Sequence, residues 1–140
     1  MTLDASIPDT FVLGAPKCGT TALTRYLEAH PQLFVAERKD IHFFGADLGF
    51  RNRVREDRAS YLQRFSSAEA VAAKHRIESS VWYLYSQTAV QEMAQFHPEA
   101  RAVALIRHPV DAMHALWSQL RLNGLGDETI DDFSAALAAE

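Results

Sequence analysis

A short apolar run that empties into a loop of small residues limits this chain more than any other feature. Phe11-Val12-Leu13 is followed by Gly14-Ala15-Pro16-Lys17-Cys18-Gly19, and then by Thr20 and Thr21. Three apolar residues closed by a glycine suit a buried strand. Thr20 or Thr21 is placed to cap a helix whose apolar positions are Ala22, Leu23, Tyr26 and Leu27, and His30-Pro31 ends it. A strand that passes directly into a helix through a glycine loop is the start of an α/β unit.

The alternation continues. Leu33-Phe34-Val35 reads as a second strand, and Ile41 to Phe44 is an apolar patch behind the charged Glu37-Arg38-Lys39-Asp40. Tyr61, Leu62 and Phe65 sit at helical spacing, and Arg76 to Ser79 reads as a strand edge. Ser86 to Phe96 predicts a helix closed by His97-Pro98, and Ala102 to Ile106 is the clearest buried strand. A helix from Val110 to Leu122 follows, with Pro109 near its first turn and Asn123-Gly124 breaking it. Thr129 to Ala139 predicts one more helix with a Thr cap. The pattern predicts one α/β domain over residues 1–140, three-layered around a mostly parallel sheet. Such sheets bind ligands at the carboxyl ends of their strands.

Composition narrows the function classes. The chain has 14 basic and 18 acidic residues, a formal net charge of −4, which argues against a general nucleic-acid binder. Cys18 is the single cysteine, so no disulfide forms within the chain and a reducing compartment is expected. Met1 to Thr10 hold no long apolar run, so neither a signal peptide nor a membrane segment is expected, and the reading is cytoplasmic.

Gly14 to Thr21 matches the phosphate-binding pattern G-x-x-x-x-G-K-S/T in its glycine spacing only. Thr20 stands where that pattern has lysine, and the lysine lies inside the loop as Lys17. Anion cradling survives the change, because glycines admit close backbone approach and the following helix adds its positive end. The bland alternative is a strand-to-helix turn with an exposed lysine. The string from Ala15 to Leu23 resembles the 5′-phosphosulfate loop of sulfotransferases that use PAPS (3′-phosphoadenosine-5′-phosphosulfate), whose fold is P-loop-like α/β. That resemblance implies Lys17 on the bridging and sulfuryl oxygens, with Cys18, Gly19, Thr20 and Thr21 completing the 5′-phosphate loop. Cys18 is assigned no catalytic role.

Three further segments carry the same resemblance. Ala104-Leu105-Ile106-Arg107-His108-Pro109-Val110-Asp111 is similar to the family's 3′-phosphate motif, with Arg107 on the phosphate, a role that suits its planar fork. The alternative for Arg107 is an ion pair with Asp111. Ala115 replaces the serine usual eight residues after that arginine, and Ser118 lies one turn further on. Lys39-Asp40-Ile41-His42-Phe43-Phe44 resembles the K-E-x-H-F-F segment of carbohydrate-type and bacterial members, where the carboxylate is the base. Asp40 takes that place. His42 either serves as base itself, orients the acceptor, or merely packs against Phe43 and Phe44. Ile77 to Leu84 looks like the acceptor-lining E-K-S/T-P-x-Y segment, with Glu78, Ser80 and Tyr83 matching and Ser79 and Val81 departing. The alternative there is a structural strand with Trp82 and Tyr83 in the core.

The resemblance implies sulfuryl transfer from PAPS to a hydroxyl or amine of a small metabolite, lipid or glycan. Sulfuryl transfer needs positioning, cations and a base, and no metal cluster is expected. Family members carry a later basic, glycine-rich segment, and the chain reaches Glu140 before one. An inactive or truncated sulfotransferase-like nucleotide binder is therefore the second hypothesis, a kinase-like P-loop protein the third, and homo-oligomerisation through exposed sheet surface an expectation. The arginines Arg51, Arg53, Arg55, Arg58 and Arg64 suit either an anionic acceptor or a solvated face.

Overall fold

The computed structural model of the chain describes residues 7–49, 55–124 and 132–138. Four strands form one sheet in the order β2-β3-β1-β4: β1 (Thr10–Gly14), β2 (Leu33–Val35), β3 (His75–Ser79) and β4 (Arg101–Ala104). All three pairings are parallel, with Phe11 opposite Glu78 on one side and Ala102 on the other. The helices between them are α1 (Thr20–Glu28), α2 (Arg58–Gln63), α3 (Ala68–Ala72) and α4 (Ala89–Phe96). After β4 come α5 (Pro109–Leu122) and α6 (Phe133–Ala138). This is the α/β architecture that the alternating pattern predicts.

Period-two alternation in β1 divides the core. Val12 points to a cluster with Val35 and Ile77, onto which Leu23 and Leu27 of α1 pack. Phe11 and Leu13 point to the other cluster, with Phe44, Tyr61, Phe65, Tyr83, Ala89 and Met93. Helical covers on both faces make three layers. The second cluster is aromatic: Phe43 stacks on Tyr61 at 3.9 Å between centroids, and Phe44 meets Phe11 edge-on at 5.4 Å. Local capping follows sequence chemistry, with Asp57 accepting from the amides of Ala59 and Ser60 at the head of α2, and Ser67 accepting from that of Ala70 at the head of α3.

Several expectations need correction. β3 is not an edge strand: it lies between β2 and β1, where Ile77, Glu78 and Ser79 are buried. β4, the most apolar-looking strand, is an outer strand with β1 as its single sheet neighbour among the described residues, and all of its residues are exposed. The strand considered around Trp82 and Tyr83 ends at Ser79, and a 3₁₀ turn covers Tyr83–Tyr85; the apolar patch from Ile41 to Phe44 is loop. Neither threonine caps α1. Gly19 occupies the cap in a left-handed conformation (φ 89°), and Thr20 and Thr24 instead turn inward beside Leu23 and Leu27, leaving Tyr26 outside. Thr129, the expected cap of the last helix, lies outside the described residues.

Gly14 shows why the first loop needs glycine. Its φ is +126°, and a Cβ there would lie 2.2 Å from the backbone oxygen of Val81. Gly14→Ala is expected to lower the unfolding free energy by at least ~2 kcal/mol in urea titrations, since backbone on both sides must move.

Candidate active site

Parallel pairing brings the exits of all four strands to one edge of the sheet. An open cavity of about 880 Å³ lies there. Pro16, Lys17, Gly19, Thr20 and Thr21 reach it from the exit of β1, Lys39 and Asp40 from β2, Val81 and Trp82 from β3, and Arg107 from β4, whereas Cys18 is not in the lining. α5 adds Ala115 and Gln119, and Asn123 follows at its end.

The cavity is electropositive. Lys17, Arg25, Lys39 and Arg107 line it against the single carboxylate of Asp40. These four cations converge in a chain whose net charge is −4, so the charge is placed and not merely abundant. No side chain caps α1, and its first residues, Thr20, Thr21 and Ala22, form part of the wall. The positive end of a nine-residue helix thus adds to the side-chain cations. The loop itself is held from two sides. The Ala15 N–H donates to Leu105 O (2.9 Å), and the Leu105 N–H donates to Gly14 O (2.7 Å), so β4 pairing continues into the loop. Arg107 Nη1 donates to Lys17 O at 3.3 Å. Lys17 itself has φ +61°, a left-handed conformation that costs a side-chain residue about 1–3 kcal/mol and persists only where surroundings impose it.

Lys39 takes a place the motif reading passed over. Its ammonium donates to Thr20 Oγ1 at 3.0 Å and to Thr21 Oγ1 at 2.9 Å, so it stands over the head of α1. Arg25, Trp82 and Gln119 are further wall residues that no motif singled out. The available signal was positional: each follows a strand exit or repeats at helical spacing after a motif residue. Ser118, weighed as a replacement for the serine missing at Ala115, donates to His114 O at 2.8 Å within its own helix and is not among the lining residues. Gln119, about one turn after Ala115, is.

Asp40 and His42 both have positive φ, 60° and 52°. Two left-handed non-glycine residues within three positions mark a loop whose shape is imposed. Asp40 Oδ1 accepts the Val81 N–H at 3.1 Å and lies 4.0 Å from His42 Nε2. The two side chains differ in access. Asp40 retains 37% exposure and lines the cavity, whereas His42 retains 4% and sits behind it, edge-on to Tyr83.

Glu78, Ser80 and Tyr83 are brought together, but beneath the wall. All three are fully buried, and none lines the cavity. The motif implied acceptor contact, whereas the structure places all three side chains out of reach of the cavity surface. Glu78 accepts from Tyr61 Oη (3.1 Å), from Tyr83 Oη (2.9 Å) and from Ser80 Oγ. Burial raises the Glu78 carboxyl from 4.5 to about 7; the Ser80, Tyr83 and Tyr61 hydrogen bonds oppose this, and the Asp40 charge adds to it.

The flanking arginines have structural partners: Arg55 pairs with Glu92, Arg64 pairs with Glu56, and Arg58 lies over the Phe96 ring. Arg51 and Arg53 lie outside the described residues. Among the described residues there is no group of three or more potential metal ligands, and no helix long and apolar enough to cross a membrane.

Comparison with known proteins decides the family. The model of the sulfotransferase family matches residues 8–139. The chain belongs to the sulfotransferase family. A solved sulfotransferase structure from Alicyclobacillus acidocaldarius superposes on 96% of the chain with a TM-score of 0.82 and 29% identity, and the chain covers 57% of that structure. Among curated sulfotransferases, the mouse bifunctional heparan sulfate N-deacetylase/N-sulfotransferase 3 is 25% identical over 82% of the chain, which spans 13% of that protein. The Dictyostelium discoideum membrane-associated sulfotransferase kil1 is 28% identical over 75% of the chain, which spans 21% of it. The chain therefore corresponds to a minor part of these curated sulfotransferases and to over half of the solved one.

The raised Glu78 carboxyl makes stability depend on pH. Between the unfolded value near 4.5 and the folded value of about 7, the folded state binds more protons than the unfolded one. Stability from this group is thus highest below that window and is lost as pH rises through it, by up to ~3 kcal/mol. Chemical denaturation across the window should show that decline in the wild type, and Glu78→Gln should lack this component.

Proposed function

We propose that this sulfotransferase-family chain binds PAPS in the cavity at the strand exits and forms the donor half of a sulfuryl-transfer site. The observation that carries this reading is the convergence of Lys17, Arg25, Lys39 and Arg107 with the head of α1 around one exposed carboxylate. An anionic ligand with two separated phosphates suits that distribution. Lys17, Gly19, Thr20 and Thr21 would hold the 5′-phosphosulfate end at the loop after β1, with Cys18 completing the loop. Arg107, at the exit of β4, would take the 3′-phosphate, with Gln119 of α5 and Asn123 just after it also lining the cavity.

PAPS supplies an activated sulfuryl group whose bond to phosphate breaks as the acceptor attacks. Cations near the leaving phosphate stabilise the charge that develops there. Lys17 and Lys39 both line the cavity, the second already bonded to both threonine hydroxyls at the head of α1. Asp40 is the side chain placed to take the acceptor's proton, because it combines exposure to the cavity with a fixed backbone. His42 is almost enclosed behind it, with Nε2 4.0 Å from that carboxylate, and the Val81 N–H donates to Asp40 Oδ1. The acceptor is an amine or hydroxyl. The heparan sulfate N-sulfotransferase relatives make the amino group of de-N-sulfated heparan the first acceptor to try.

Calorimetric titration with adenosine 3′,5′-bisphosphate tests the donor site. Saturable binding is expected, weakened about tenfold or more by Lys17→Ala and by Arg107→Ala, as befits charge-assisted hydrogen bonds of roughly 1.5–3 kcal/mol. Absence of binding by the folded chain would refute the reading. Asp40→Asn should leave that affinity within about twofold while slowing PAPS-dependent transfer by roughly 10²–10⁴. Nucleotide binding without transfer to any amine or hydroxyl would instead identify a binding domain without turnover.

A further inference from the structure

The buried carboxyl of Glu78 is unexplained by donor or acceptor contact. It is wholly enclosed, yet three hydroxyl groups converge on it from three parts of the chain: Tyr61 of α2, Ser80 just after β3 and Tyr83 of the 3₁₀ turn. A carboxyl sunk into an aromatic core is costly unless its oxygens are satisfied, and these hydroxyls satisfy them.

The direction of the hydrogen bonds is informative. A hydroxyl has one proton and two lone pairs. Ser80 gives its proton to Glu78 Oε1, which leaves its oxygen to accept the His42 N–H at 3.0 Å. Tyr83 gives its proton to the same carboxyl, at 3.0 and 2.9 Å from the two oxygens, and accepts the Phe44 N–H at 3.3 Å. Glu78 thus fixes the orientation of two hydroxyls, and each of these holds one amide of the loop that carries Asp40 and His42. The Asp40 N–H is held separately by Ser79 O at 2.8 Å. Loop residues in left-handed conformations gain most from such ties, since extended or helical alternatives lack them.

We propose that Glu78, acting through Ser80 and Tyr83, is a positioning residue that sets the shape of the Asp40–Phe44 loop and so aims Asp40 into the cavity. Its catalytic purpose rests on the reading of Asp40 as proton acceptor; its structural effect on the loop does not. Glutamine should replace it. With its carbonyl oxygen at the Oε1 position, the amide accepts from Ser80 and Tyr83 as before, and its NH₂ group donates to Tyr61, whose hydroxyl is free to turn. Leucine cannot orient either hydroxyl.

The test uses the whole chain with Glu78→Gln, Glu78→Leu, Ser80→Ala and Tyr83→Phe. Two readouts are taken: affinity for adenosine 3′,5′-bisphosphate, and turnover with PAPS and de-N-sulfated heparan at saturating donor. Ser80→Ala and Tyr83→Phe should lower kcat by roughly tenfold or more with affinity and donor KM within about twofold, and Glu78→Gln should keep kcat within about threefold. Full turnover in folded Ser80→Ala and Tyr83→Phe, or a matching loss of nucleotide affinity, would overturn the proposal. Amide hydrogen exchange at His42 and Phe44 needs no acceptor and separates this inference from the proposed reaction. Exchange there should quicken by about tenfold in both hydroxyl variants while β1 amides stay protected; unchanged exchange would overturn the positioning role even if the reaction stands. Glu78→Leu is informative only beside Glu78→Gln, whose recovery shows that hydrogen bonding and not fold is at issue.

Discussion

Parallel pairing on both sides of β1 is the constraint from which the rest of the site follows. β1 lies between β3 and β4, its interior residues are buried, and both neighbours run in its direction. Parallel strands require crossovers, and the crossovers return every strand to the same starting edge. All four exits consequently meet at the opposite edge, so residues far apart in sequence share one cavity. The pairing also extends past the strands. Leu105 bonds both ways with the backbone of Gly14 and Ala15, and the Ser80 N–H donates to Val12 O at 3.0 Å. The loop after β1 is thus flanked by the exits of β3 and β4, and Gly14 passes so close to Val81 that no side chain fits.

The loop after β2 is held differently. It belongs to no strand or helix, so its backbone groups need other partners. Phe43 and Phe44 anchor it by inserting into the aromatic cluster with Tyr61 and Phe96. Ser80 and Tyr83, oriented by Glu78, take two of its amides. Apolar insertion fixes depth, and hydrogen bonds fix rotation. Asp40 then faces the cavity, while His42 two residues on is turned inward and nearly enclosed. The same division separates the two motif acids: Asp40 lines the cavity, and Glu78 is fully buried beneath its wall.

Much of this was legible beforehand because it depends on local chemistry. The strand at Phe11 to Leu13, the glycine loop and the helix after it are encoded within about twenty residues, and the motifs around Lys17, Asp40 and Arg107 mark three cavity walls. Other features were misread where non-local pairing outweighed local pattern. Ala102 to Ile106 looks more buried than Arg76 to Ser79, yet among the described residues β3 has neighbours on both sides and β4 has one. Glu78, Ser80 and Tyr83 matched a cleft-lining motif, but a motif match does not reveal depth. Gly19 caps the helix that Thr20 or Thr21 was expected to cap: the Thr20 and Thr21 hydroxyls accept from Lys39 instead, and Thr24 turns inward to Ser79 of β3.

By itself, the sequence determined the α/β alternation, the glycine loop and the motif residues around Lys17, Asp40 and Arg107, since each depends on spacing within one segment. The tertiary structure alone decided which cations share a cavity, why Lys39 joins Lys17 at the head of α1, and which of two acids is reachable. Those outcomes depend on the order of strands in the sheet and on what lies above each residue, and both are set by contacts between segments tens of residues apart.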